Sequence, residues 1–130
     1  HLRLHNWDAN AVKYYDESVI YILAAKFVFC NIALIEAMER GVAPIVSKVD
    51  KADWVITDGV NGLMYDNTKE GLAEKINYLI EHRQERMRLG KAARQTIIEK
   101  FNNDSRMNVI EEEIRALGNK VSETKMAISA

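Results

Sequence analysis

Glu36 is the residue of this chain best suited to hold a ligand. It lies one turn inside an expected helix, within the stretch Asn31–Pro44 (NIALIEAMERGVAP). A carboxylate there can accept two hydrogen bonds from a vicinal diol, such as the 2′,3′-diol of a ribose. The unpaired N–H groups from Ile32 to Leu34 and the positive end of the helix dipole suit a phosphate of the same nucleotide. A plainer alternative is a solvated glutamate that favours the helix start electrostatically. Spacing alone leaves both open.

The other polar groups carry less. Gly59–Gly62 (GVNG) can be a binding loop, but a turn explains it more simply. Lys26 and Lys48 fall near expected strand ends, where phosphate binds, although solvated lysines are commoner. His1, His5 and His82 have no partner at metal or catalytic spacing; His5, at an expected strand end, is the one nearest a crevice. Trp54 is expected to pack. There is no glycine-rich phosphate loop, no Ser-His-Asp arrangement and no zinc spacing, so neither a metal nor a cofactor is expected.

The elements that must position Glu36 follow from periodicity. Ile32, Leu34, Ile35 and Met38 recur at helical spacing. Asn31 can cap that helix and Gly41 can end it with a left-handed turn. Val19–Leu23 (VIYIL) just upstream is a continuous β-branched run, the mark of a strand covered on both faces. Such a helix starts near the carboxyl end of a strand, where ligands bind in an open α/β sheet. Further strands are expected at Leu2–His5, Ala43–Val49 and Leu63–Tyr65. Helices are expected over Ala9–Glu17, over Lys51–Ile56 and after Asn67. The last of these has Glu70 for a capping box and Leu72, Ile76, Leu79 and Ile80 as its apolar stripe. Glu85–Phe101 is a further helix with Met87, Ala93, Ile97 and Phe101 inward, in which Gly90 costs about 1 kcal/mol against alanine. A last helix is expected to reach Leu117. Ala24–Cys30 is a loop whose Phe27, Val28, Phe29 and Cys30 should be partly buried.

Alternation of strands and helices predicts an α/β fold with right-handed βαβ units: a short parallel sheet, flanking helices and a helical carboxyl end. This is half of a doubly wound, Rossmann-like, three-layer fold. Residues 1–117 form the expected domain and residues 118–130 a flexible tail. The chain has 130 residues, 48% apolar and 28% charged, an ordinary soluble composition. A net charge of −1 gives no electrostatic ground for a nucleic-acid partner. The single cysteine, Cys30, excludes an internal disulfide and fits a reducing, cytoplasmic setting. No apolar run is long enough to span a membrane. The chain opens directly on the strand-like HLRLHNW with no secretory signal, so a fragment of a longer protein is expected, with His1 compatible with a tag remnant.

The run from Trp7 to Phe101 resembles the carboxy-terminal domain of family 4 (group 1) glycosyltransferases of the GT-B fold. The matching pieces stand in order as NWDANAVKYYDESVIYIL, LIEAMERGVAPIVS, VITDGVNGLMYD and RMRLGKAARQTIIEKF. The resemblance implies a domain that binds a nucleotide-diphospho-sugar donor. The second glutamate of a Glu-x(7)-Glu motif holds the ribose and maps onto Glu36. Backbone amides near Asn31, Ile32 and Ala33 hold the diphosphate. The first glutamate, which contacts the transferred sugar, maps onto Val28, and the small residue after it onto Phe29. A glycine pair maps onto Asp50 and Lys51, and a glutamate before the DG turn onto Trp54.

These departures fall on the sugar side, while the nucleotide side persists. The resemblance implies sugar transfer with retention and without a bound metal, in a parent protein that supplies an amino-terminal acceptor domain and sits in the cytoplasm or at a membrane periphery. The alternative is a degenerate domain kept as a protein-interaction module. The apolar loop 24–30 makes self-association of the fragment an accompanying expectation. An unrelated doubly wound regulator is disfavoured, since no phosphorylatable aspartate follows the first strand.

Overall fold

Three short apolar runs pair side by side as parallel strands, in the order β1-β2-β3. β1 is Ile20–Leu23, β2 is Ala43–Ser47 and β3 is Leu63–Tyr65. The structure, a computed structural model, describes residues 12–26, 28 and 31–101. The register sets Ile22 opposite Ile45, and Val46 opposite Met64. By its contacts the chain divides into two compact units, His1–Ile98 and Glu99–Ala130; the account below concerns the first.

β2 is buried along its whole length. Its side chains alternate between faces. Ala43 and Ile45 join Leu63 and Tyr65 in a core closed by Leu79 and Leu89. Those two leucines come from α3 (Lys69–Glu81) and α4 (Arg83–Phe101). Pro44 and Val46 point to the opposite face, where α2 (Ile32–Glu39) presents buried Leu34, Ala37 and Met38. The sheet therefore lies between helical layers, as expected.

Proline is awkward in a central strand because it lacks an N–H. Here Pro44 pairs with Tyr21 of β1, but the pairing with β3 starts only at Ile45. Gly62, which precedes β3, lies against it: a β-carbon on Gly62 would come 2.8 Å from the Pro44 ring. A second glycine contact ends α2. Gly41 turns the chain with a φ of +73°, and a β-carbon on Gly90 of α4 would run into its carbonyl oxygen. Gly90 is thus a point of close approach between backbones, a role that helix propensity does not show.

The turn between Thr57 and Gly62 is built on Asn61, which is 4% exposed. Its Oδ1 accepts from Thr57 N–H at 2.7 Å, and its Nδ2 donates to Val55 O at 2.9 Å and Thr96 Oγ1 at 3.0 Å. Asp58 Oδ1 accepts from Met64 N–H at 2.7 Å. Arg88 of α4 donates to Gly59 O at 2.7 Å and pairs with Glu85 at 2.6 Å. Gly59–Gly62 is a structural turn.

Several expectations shift. α1 is described over Val12–Asp16, and the turn after β2 is a short 3-10 helix, Ala52–Trp54. β1 is not covered on both faces, because it is an edge among the described strands: Ile22 is 41% exposed. Thr68 caps α3, its Oγ1 accepting from Gly71 N–H at 2.9 Å. Asn67 cannot take that role because it sits at φ +67° with its side chain on Lys48 O. α4 begins at Arg83, directly after the single residue His82, and turns Leu89, Gly90, Ala93 and Ile97 inward. Met87 and Ile80 face solvent, since Leu79 and Leu89 take the core. Trp54 is 45% exposed. The expected strand Leu2–His5, the helix to Leu117 and the tail 118–130 lie outside the described residues, as do Phe27, Phe29 and Cys30. No described helix is long and apolar enough to cross a membrane.

Candidate functional site

The carboxyl ends of the three strands meet at one hydroxyl. Ser47 Oγ lies 3.2 Å from Leu23 O, 3.1 Å from the Tyr65 hydroxyl and 3.0 Å from Ala25 N. A serine carries one proton and two lone pairs. Leu23 O can only accept, so Ser47 donates there, and its lone pairs take the Ala25 N–H and the Tyr65 O–H. The hydroxyl is saturated and buried. It forms the floor of a cavity of about 400 Å³ that Lys26 and Asn67 help to line. Beside it lies a depression of about 320 Å³ edged by Lys48, Asp50, Lys51 and Asp53. Both lie where an open α/β sheet places its ligands.

α2 starts on the same side of the sheet as these strand ends. Asn31 caps it: Oδ1 accepts from Leu34 N–H at 2.9 Å, and Asn31 O takes the first intrahelical bond from Ile35 N–H at 3.1 Å. The cap consumes one donor. The N–H groups of Ile32 and Ala33 have no acceptor within the helix by position. Glu36 follows those two residues by four and three places, so all three share one side of α2. Asn31, Ile32, Ala33 and Glu36 therefore lie together in the first turns of α2. Ile32 is 68% exposed, which leaves that side open.

Glu36 is half-buried, and it has company that spacing does not reveal. Tyr15 of α1 is near enough for its phenol to feel the charge of this carboxylate. The rings of Tyr15 and Tyr21 meet edge to face at 6.0 Å. Burial, then the Glu36 charge, raise the Tyr15 phenol above its ordinary value. Burial, then Tyr15 and Glu36, push the Tyr21 phenol up to about 12. One turn further along α2, Arg40 pairs with Asp16 at 2.7 Å.

On the sugar side implied by the resemblance, Val28 is 1% exposed. Its N–H points to Asp50 O at 3.5 Å, so the loop after β1 folds onto the loop after β2 and this side chain meets protein. Lys51, onto which the resemblance maps a glycine, holds a φ of +66°. That is the left-handed region glycine favours. Ser47, Tyr15 and Tyr21 were not singled out from the sequence. A serine closing an apolar strand was a usable signal for Ser47; the tyrosines offered none.

A hollow of about 630 Å³ lies elsewhere, at the elbow of α3 and α4 around His82 and Arg88. Its Arg88 is engaged by Glu85 and Gly59 O. Among the described residues no group of three or more His, Cys, Asp or Glu is placed to hold a metal ion.

The model of the family described as "Glycosyl transferases group 1" matches residues 2–96. No curated protein sequence is significantly similar to the chain. Among solved structures, sucrose-phosphate synthase from Thermosynechococcus elongatus superposes with a TM-score of 0.69 at 21% identity, over 80% of this chain and 27% of that one. The C-terminal domain of LpcC, a glycosyl transferase group 1 family protein from Francisella tularensis, gives 0.68 at 20% identity, over 78% and 53%. HepE from Anabaena, in complex with UDP and glucose, gives 0.68 at 21%, over 80% and 29%. At such identities the likeness is one of fold. The chain spans about a quarter to a half of the length of these proteins.

Proposed function

Because the chain belongs to the glycosyl transferases group 1 family, we propose that it binds the nucleotide-diphospho-sugar donor of a glycosyltransferase. One observation carries this: Glu36 shares one side of α2 with the uncapped N–H groups of Ile32 and Ala33, at the carboxyl end of the sheet. The carboxylate accepts hydrogen bonds from the ribose diol, and the amides donate to the diphosphate oxygens. The parent protein transfers the sugar with retention and without a bound metal. The helix start stabilises the charge that grows on the leaving diphosphate, an electrostatic contribution. Glu36 positions the nucleotide and moves no proton. A second domain supplies the acceptor, so these 130 residues bind but do not turn over.

A second reading is favoured by Val28. A buried valine offers no hydrogen bond to a sugar hydroxyl, which suits a domain kept for protein contact. Ligand-observed NMR with UDP, GDP and ADP, each beside its sugar conjugate, separates the two. UDP is the first probe, since HepE is found with UDP. Under the donor-binding reading one nucleotide binds, and Glu36→Gln weakens it at least tenfold, the loss of a charge-assisted diol contact worth about 1.5–3 kcal/mol. Affinity unchanged by Glu36→Gln would remove the ribose role; no binding of any nucleotide would favour the interaction module.

A further inference from the structure

We propose that the cavity over the strand ends takes an acidic sugar, a hexuronate whose carboxylate meets Lys26 and whose hydroxyls meet Tyr65 and Asn67. This deepens the donor reading above and rests on it, since the sugar arrives on the nucleotide. The cavity holds about 400 Å³, within the range of small-ligand clefts. Its hydrogen-bonding groups are unevenly divided. Ser47 is saturated: it donates to Leu23 O and accepts from the Ala25 N–H and the Tyr65 hydroxyl. With its proton directed to Ser47, the Tyr65 oxygen can only accept from a ligand. Asn67 Nδ2 donates to Lys48 O at 3.2 Å, which leaves its Oδ1 as an acceptor beside one remaining N–H.

Lys26 is the one charged side chain among the described residues that line this space. Among the described residues it forms no ion pair. The carboxylates nearby have other company. Asp50 and Asp53 edge the adjoining depression, where Lys48 and Lys51 balance them in number. Asp66, next to Asn67, accepts from Thr68 Oγ1 at 2.6 Å and from Thr68 N–H at 3.1 Å. One cation facing two acceptors selects a ligand chemistry. The ionised oxygens of a bare phosphate only accept, and they would leave Tyr65 and Asn67 Oδ1 unmatched. A neutral sugar satisfies those acceptors and leaves the ammonium without a counter-charge. A hexuronate supplies both, hydroxyl protons for the acceptors and a carboxylate for a charge-assisted bond to Lys26. The start of α2, on the same side of the sheet, stays open for the diphosphate.

The test compares UDP, UDP-glucose and UDP-glucuronate on wild type and on Lys26→Gln by ligand-observed NMR. UDP-glucuronate is expected to bind wild type about fivefold tighter than UDP-glucose, the upper end for an ion pair open to water. Lys26→Gln, a change at an exposed residue, should bring the two affinities together. Equal affinities in wild type, or a preference that survives Lys26→Gln, overturn the site. So does an equal weakening of UDP itself, which assigns Lys26 to the diphosphate. The donor reading fails separately, when none of UDP, GDP and ADP binds. Free glucuronate, free glucose and inorganic phosphate test the cavity without a nucleotide. Glucuronate alone shifting the Ala25 and Asn67 amide resonances, and losing that effect in Lys26→Gln, supports the site. Equal shifts from glucose or phosphate, or no shift from any of the three, overturn it.

Discussion

Gly90→Ala decides between two opposite effects. In an exposed helix interior the change would stabilise by about 1 kcal/mol. Gly90 is buried, and its missing β-carbon faces the backbone of the α2–β2 turn. The new methyl would run into Gly41 O and would lie 3.0 Å from the Gly41 carbonyl carbon and 3.5 Å from Ala43 N. A flexible side chain could swing aside, but these are main-chain atoms. Gly41 is held at φ +73°, and its N–H bonds to Met38 O at 2.9 Å. Overpacking against such a wall falls at the upper end of its usual range, about 3 kcal/mol. Subtracting the gain in helix propensity leaves a net loss of about 2 kcal/mol. With a slope of about 2 kcal/mol per M, the urea midpoint should fall by about 1 M at unchanged slope. Equilibrium unfolding followed by far-UV circular dichroism gives the answer. A variant as stable as wild type, or more so, would mean that the α2–β2 turn does not lie against α4.

Asn61→Ala removes the side chain that satisfies Thr57 N–H and Val55 O beneath the surface; a loss of about 3 kcal/mol is expected, lowering Tm by roughly 10 °C or more. A calorimetric shift of only a few degrees would count against the buried clamp. Tyr21 gives an alkaline signature. Its phenol is pushed from 10.0 up to about 12 in the folded chain, so the folded state holds the proton more tightly than the unfolded one. Its contribution is intact below pH 10 and is lost as pH rises toward 12. The fall in urea midpoint across that window should flatten in Tyr21→Phe; an identical fall would assign it to other groups.

What the sequence disclosed was whatever a local rule governs. Asn31 and Gly41 mark the ends of α2 because caps depend on a few neighbouring residues. β2 stands out because a strand buried on both faces is apolar throughout. What it hid was set across the chain. Met87 fits a helical stripe as well as Leu89 does, and only the approach of Gly41 to Gly90 decides which side of α4 turns inward. Thr68 takes the cap from Asn67 because Asn67 is drawn to Lys48 O in a left-handed conformation. The candidate site divides in the same way. Glu36 and the open amides of α2 belong to one helix and were legible. The Tyr15 ring against Tyr21 and the Ser47 hydroxyl under three strand ends join separate segments, and periodicity does not report such meetings.

The Ser47 knot also gives the molecule an internal clock. The amide hydrogen of Ala25 sits in a connecting loop, where exchange with deuterated water is ordinarily fast. Here it is held by a buried oxygen at 3.0 Å. It can exchange only when the exit of β1 lifts away from β2, an excursion that requires no global unfolding. The exchange rate of that one hydrogen therefore counts how often the mouth of the cavity breathes. A molecule seated above Ser47 would slow the count without touching the amide itself.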